Sequence, residues 1–347
     1  MIKNFYKISR LILICLFVAA CTKSGGNFPN TSNNSKSSTN NPNTVNNTDT
    51  SKSNNTGTTT ATNITYKLSV PVILNGAHDL VINGLQIQNS SGPCIYLTNC
   101  SNITISHCKL GPSPKQGIEL YKCTNIVVDS CYIANTATGM YTLESTGIQF
   151  NYNQVKNIQG PFPGGQMVQF DNVSGTGNRI LNNKCENIAG ASSPEDVISM
   201  YMSNGTADDP IMITGNWIRG GGPSKVGSGI MLGDNGGSYI IANKNILVNP
   251  GSCGIAIAGG NNLQIVNNEI YSSETSVSNV GIYIWNQSNG GCSLNTISNN
   301  QVNWTNSVGE ANTNWDSGNC GAVNGWNTNI WGASLNPGIL PSQIIIN

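Results

Sequence analysis

The chain has 347 residues, of which only 9% are charged, and its 16 basic and 16 acidic side chains balance to zero. Gly (39 residues) is abundant, Asn, Ser and Thr are frequent, and Ala, Leu, Glu and Lys are too sparse for a helix-rich enzyme. Lys3, Lys7 and Arg10 fall in the leader, so the remainder carries 13 basic against 16 acidic residues, and that net −3 excludes the basic footprint of a nucleic-acid-binding protein.

Residues 1–20 read as a signal peptide. "MIKNFYKISR" is a basic n-region, and "LILICLFVAA" is apolar but too short to span a membrane permanently. "VAAC" resembles a bacterial lipobox. That resemblance implies cleavage before Cys21 and lipidation of its thiol; an ordinary secretory leader is the alternative. Thr22 and Lys23 follow with no Asp beside Cys21, which implies an outer-membrane lipoprotein facing the periplasm or the cell surface, touching the membrane through its anchor only. Residues 21–63 are Asn, Ser, Thr and Gly with almost nothing apolar. Such a stretch cannot offset its ordering entropy and is expected to be a disordered tether, with a mean reach of roughly 35 Å.

From 64 to 347 a single repetitive domain is expected. One strand type recurs as "CIYL" from Cys94, "GIEL" from Gly117, "MVQF" from Met167, "VISM" from Val197, "GIML" from Gly229, "GIAI" from Gly254 and "GIYI" from Gly281. A second recurs as "NITISHCKL", "NRILNNKC" and "LQIVNNEI". The spacing, roughly 20–35 residues, is that of stacked supersecondary units. Period-two alternation without helical periodicity gives at least two short strands per coil. Aligning the second type exposes a column: Asn153, Asn183, Asn216, Asn245, Asn268 and Asn300, continued by Cys131 and Cys108. Stacked about 4.8 Å apart, these amides would bond one another. The pattern resembles the right-handed parallel β-helix of the pectate-lyase and polygalacturonase type, an all-β solenoid, over about residues 66–305. The Trp-rich stretch beyond about 305 caps its open end. Cys100 and Cys123 share a column, as do Cys108 and Cys131; buried thiol ladders are favoured over bridges. His78 and His107 read as structural.

Side chains alternate faces along a strand. With Ile95, Ile118, Val168, Ile198, Ile230, Ile255 and Ile282 inward, the next residue of each strand faces out: Tyr96, Glu119, Gln169, Ser199, Met231, Ala256 and Tyr283. Two further along lie Thr98, Tyr121, Asp171, Tyr201, Gly233, Ala258 and Trp285. Tyr121, Tyr141, Tyr201, Tyr283 and Trp285, with Gln169 and Glu119, are therefore expected to bind substrate. Aromatic faces among carboxylates suit a polysaccharide: ring C–H faces stack and carboxylates bond hydroxyls. A solvated face of ordinary strand-favouring aromatics is the alternative.

In "SSPEDVISMYMSNGT", Glu195 and Asp196 precede a strand, and Asp171 closes the preceding one. Counting positions puts Asp171 and Asp196 roughly 10–11 Å apart at Cα, within side-chain reach of the carboxyl separation in inverting glycosidases. "EDVISMYMSNGT" resembles the "DDCIAxxSG" stretch of polygalacturonase-type hydrolases. That resemblance implies Asp196 as general acid, with Glu195 or Asp171 assisting water. "GSGIMLGDNGG" resembles the family's "GHGxSIGSxGG" with Ser228 in place of His, and brings Asp234 into the groove. No Arg-x-Lys follows, so a uronate carboxylate has no obvious partner. A lyase reading instead makes Lys225 or Arg219 the base that removes a proton α to a uronate carboxylate, with Glu195, Asp196 or Asp234 holding Ca²⁺. A surface glycan-binding or adhesive protein is the non-enzymatic reading. A monomer is expected.

Overall fold

The computed structural model describes residues 65–161, 164–288 and 290–346. The expected signal peptide, Cys21 and the expected tether lie outside them. Among the described residues the backbone winds as a parallel solenoid with three strands per coil, one more than the minimum the sequence required. One full coil shows the plan. The strand Val168–Asp171 leads through a turn to Arg179–Leu181, which leads to Lys184–Glu186, and a loop then returns the chain to Ile198–Asn204. Each strand pairs in parallel with its counterpart one coil on: Val168 opposite Ile198, Arg179 opposite Met212, Lys184 opposite Trp217.

Asparagine is common because it does two different jobs. In "NN" pairs the first Asn makes the turn: Asn182, Asn267 and Asn299 have φ of 55°, 57° and 57°. That left-handed region costs most L-residues about 1–2 kcal/mol but suits Asn. The second Asn points inward and builds the ladder. Nδ2 of Asn153, Asn183, Asn216, Asn245, Asn268 and Asn300 donates to Oδ1 of the next member at 2.8–3.1 Å. The ladder runs one rung past the expected column, to Asn329. At the other end it passes into thiols: Cys131 N–H donates to Asn153 Oδ1, and Cys108 N–H to Cys131 Sγ. Cys94, Cys100, Cys108, Cys123, Cys131, Cys185 and Cys253 are buried thiols, as the ladder reading expected, whereas Cys292 and Cys320 form a disulfide that it did not.

Inside, stacked Ile, Leu, Val and Phe side chains are almost fully buried, each aligned with its neighbour a rung away. The segment beyond 305 is more than a plug. Asn314–Asp316 and Ile330–Trp331 still pair in register with the strands before them, while Trp326 and Trp331 pack against the end of the core.

Candidate functional site

The site stands on the outer face of the sheet that contains Val168–Asp171. Its register fixes two outward columns. The first runs Tyr96, Glu119, Tyr141, Gln169, Ser199, Met231, Ala256, Tyr283, Trp315. The second runs Thr98, Tyr121, Leu143, Asp171, Tyr201, Asp234. The expected stripe is therefore present, with one shift. Counting residues puts Gly233 opposite Tyr201, but a bulge advances the chain and sets Asp234 there. Gly233 makes the bulge, with φ +66° and an ideal Cβ that would stand 2.1 Å from Gly259 O.

Three acids gather in these columns. Asp171 and Asp234 flank Tyr201, two rungs or about 10 Å apart at Cα. Glu119 lies two rungs before Gln169 and so on the other side of Asp171, about 12 Å from it at Cα. The Tyr141 hydroxyl lies between them and donates to Asp171 Oδ2 at 2.7 Å. Burial, that bond and the charge of Asp171 push the Tyr141 pKa up, so the phenol remains a donor. Burial also raises the Glu119 carboxyl, partly offset by Lys115. Asn235, which sequence reasoning passed over, donates to the Tyr201 hydroxyl at 3.1 Å. Tyr121 is half-buried with the Lys122 ammonium 4.9 Å from its ring centroid.

Glu195 and Asp196 are not part of this gathering. Val168 is opposite Ile198 and Asp171 opposite Tyr201, so Asp196 aligns with Gln166, at the other end of the strand. Five residues of extended chain separate it from the Asp171 rung, up to about 16 Å, which replaces the shorter count made from the sequence. Both acids are 2% exposed. Asp196 Oδ1 accepts the Ser228 N–H at 2.9 Å, and Glu195 N–H donates to Gly165 O. The loop residues 157–161 and 164–167, 187–197 and 220–227 stack on one another here: a Cβ on Gly160 would lie 2.3 Å from Ser193 O, and one on Gly227 2.2 Å from Glu195 O. Asp234 is six residues past the rung of Asp196, so the register keeps it apart from the Glu195–Asp196 pair.

Arg219 is likewise elsewhere. It ends the strand Trp217–Arg219, which pairs with Lys184–Glu186, and its Nη2 donates to Pro337 O and Leu340 O of the C-terminal segment at 2.7 and 2.8 Å. Glu186, one rung away, accepts the Ile344 and Ile345 N–H groups. Together they hold the chain end against the solenoid wall. Lys225 is exposed on the loop before Ser228. Asp209 pairs with Arg179.

The aromatic end of the stripe also differs from expectation. Tyr283 is fully buried, with Gln287 Nε2 donating to its hydroxyl at 2.9 Å. Trp285 and Trp315 lie half-buried over it. Trp315, assigned from sequence to the cap, is in fact the next residue of the first outward column.

Residues 52–193 match the family described as the right-handed β-helix region, and the chain is a right-handed parallel β-helix, as its repeats implied. Two kinds of solved structure are similar. A surface adhesin of Streptococcus pneumoniae, PfbA, is 12% identical with a TM-score of 0.46 over 67% of this chain and 64% of that one. The catalytic domain of a GH87 α-1,3-glucanase, solved with tetrasaccharides, is 14% identical with a TM-score of 0.42 over 72% and 54%. The chain thus spans less than two thirds of either. No curated protein matches the sequence.

Proposed function

We propose that the protein hydrolyses glycosidic bonds in a polysaccharide laid along this face, with Glu119 as general acid and Asp171 as general base. The observation that carries the reading is the pairing of a carboxyl raised by burial with a carboxylate that accepts a tyrosine hydroxyl, two rungs apart on one face. Glu and Asp side chains leaning toward each other over Tyr141 would bring the carboxyls into the separation of about 6.5–9.5 Å used by inverting enzymes. Glu119 gives its proton to the leaving glycosidic oxygen as the C–O bond breaks. Asp171 takes a proton from the water that attacks the anomeric carbon from the opposite side. The glycan leaves inverted, and the two carboxyls return to their starting states by exchange with solvent. Tyr141 keeps Asp171 aimed at the water, while Tyr121, Tyr201 and Gln169 line the sugar. Both proton transfers come from side chains, so the mechanism calls for no metal. The same reading places the enzyme on the outer membrane, attached through Cys21 and acting as a monomer.

The test is a polysaccharide panel scored for reducing ends and for the ultraviolet absorbance of unsaturated uronates. Reducing ends without that absorbance are expected, with losses of about 10²–10⁴-fold in Glu119→Gln and in Asp171→Asn. Undiminished hydrolysis in both variants removes the assignment. Unsaturated products would point to a lyase, and binding without turnover to a glycan-binding protein.

A further inference from the structure

The proposed catalytic residues occupy only one half of the outward stripe. Beyond Asp234 the character of the face changes. Met231, Ala256 and Tyr283 make a closed apolar floor, and two tryptophans stand half-exposed on it. Trp315 lies 6.4 Å from Tyr283 and 6.0 Å from Trp285, centroid to centroid, the latter pair edge-on at 71°. The chain buries tryptophan completely where the core needs it, as at Trp304. Trp285 and Trp315 instead cover the floor with part of each indole and leave the rest of each ring at the surface.

Their positions are fixed by more than the sheet. The segment after Trp285 and the segment after Trp315 are joined by the Cys292–Cys320 disulfide. They are joined again where Asn286 N–H donates to Asn319 Oδ1 and Asn319 Nδ2 donates back to Asn286 O. Rings held in place this way lose little freedom when a ligand covers them.

Charge decides what that ligand is. The six strands that carry the outward columns from Asp171 to Trp315 (Val168–Asp171, Ile198–Asn204, Ser228–Asn243, Cys253–Ile257, Val280–Ile284 and Asn314–Asp316) hold no Lys, Arg or His, and they hold Asp171, Asp234 and Asp316. Lys225 precedes its strand, at the end away from Asp234. From Asp171 onward a polyuronate would therefore meet only like charge on these strands, whereas a neutral chain would meet hydroxyl-bonding carboxylates and stacking faces.

We infer that Trp285 and Trp315, on the Tyr283 floor, form a subsite for neutral sugar residues of the same chain that is cleaved at Asp171. The subsite's role in cleavage rests on the hydrolase reading; its binding of neutral glycan does not. Tyr283 is four rungs from Asp171 and Trp315 five, a span of about 19–24 Å. An extended glycan running parallel to the solenoid axis passes over both, so the natural substrate is a long, uncharged polysaccharide.

The experiment uses the full chain carrying Asp171→Asn, which is not consumed by turnover. Its migration is measured in native gels cast with a neutral β-glucan, a neutral α-glucan, a neutral galactan or polygalacturonate. At least one neutral polymer should retard it, and added Trp285→Ala or Trp315→Ala should weaken that retardation up to about tenfold each. Trp285→Phe, which spares the packing over Tyr283, should fall between. Retardation by polygalacturonate exceeding that by every neutral polymer overturns the inference. So does retardation that survives the Trp substitutions, or none with any polymer. Failure of the hydrolase reading shows separately, as undiminished cleavage by the Glu119 and Asp171 variants.

Discussion

Asn216 sits in the middle of the amide ladder and is fully buried. Its Oδ1 accepts from both the backbone N–H and Nδ2 of Asn183, at 3.0 and 2.9 Å. Its Nδ2 donates to Ile180 O and to Asn245 Oδ1, each at 2.9 Å. Asn216→Ala removes all four bonds. Asn245 Oδ1 keeps the Asn216 N–H and Asn183 Nδ2 keeps Phe150 O, but the Asn183 N–H and Ile180 C=O lose their amide partner inside the core. Each buried polar group left unsatisfied costs about 1–3 kcal/mol, and the small void adds to it, so a loss of about 4 kcal/mol is expected. The same substitution at Asn267, which is exposed and makes the left-handed turn beside ladder residue Asn268, should cost only about 1–2 kcal/mol, and Asn267→Gly nearly nothing. Urea unfolding followed by circular dichroism measures both, with the slope checked because a solenoid can unfold in parts. A loss below about 1 kcal/mol for Asn216→Ala, or one equal to that of Asn267→Ala, refutes the claim that the ladder is the buried polar spine of the fold.

Two further outcomes follow from the site and the leader. Burial raises the Glu119 carboxyl above its ordinary value of 4.5. Its contribution to stability is therefore full below that value and is lost as pH rises through the folded one. Glu119→Gln should accordingly raise the urea midpoint at neutral pH, with the gain vanishing in acid, while wild-type cleavage falls on the alkaline side as the acid deprotonates; a stability difference that ignores pH contradicts this. Cys21→Ser should shift the protein in its native host from the membrane fraction to the soluble one, and unchanged partition would rule out the lipid anchor.

How far the sequence could be read depended on the range of the interaction concerned. The alternation of "GIML" and "GIAI", the Asn column and the thiols that extend it are one-coil repeats, so alignment alone recovered the solenoid and most of its ladder. Asp171 and Tyr201 came out right because their strands keep an uninterrupted register. Asp234 was placed one position off because the positive φ of Gly233 inserts a bulge that residue counting cannot see. Asp196 was misjudged for a different reason: its family-like motif is genuine as a string, but loops from three consecutive coils close over it and its carboxylate holds the backbone of the next coil.

Arg219 and Trp315 show the longest-range limit. Arg219 sits in a loop-flanked stretch that reads as the rim of a cleft, yet its partners are carbonyls of Pro337 and Leu340, far along the chain. Trp315 lies past the last obvious repeat, where a cap is the simplest expectation, yet its strand pairs with Val280–Ile284 and carries the outward stripe one rung on. In both cases what fixes the side chain is the neighbour it acquires across coils, and in a parallel solenoid that neighbour is set by loop length as much as by local pattern. Function is exposed to the same arithmetic. A one-residue slip of a strand would turn its isoleucines outward and is resisted by the core, so a change in loop length is either absorbed in the loop or slips the strand by two, which moves an outward carboxylate about 6.6 Å along the strand. A pair of acids that must flank one glycosidic bond tolerates little of that, whereas an aromatic platform that meets successive sugars of a uniform chain tolerates more. Small insertions between Tyr141 and Asp171 should therefore abolish cleavage well before they weaken glycan binding at Trp285 and Trp315.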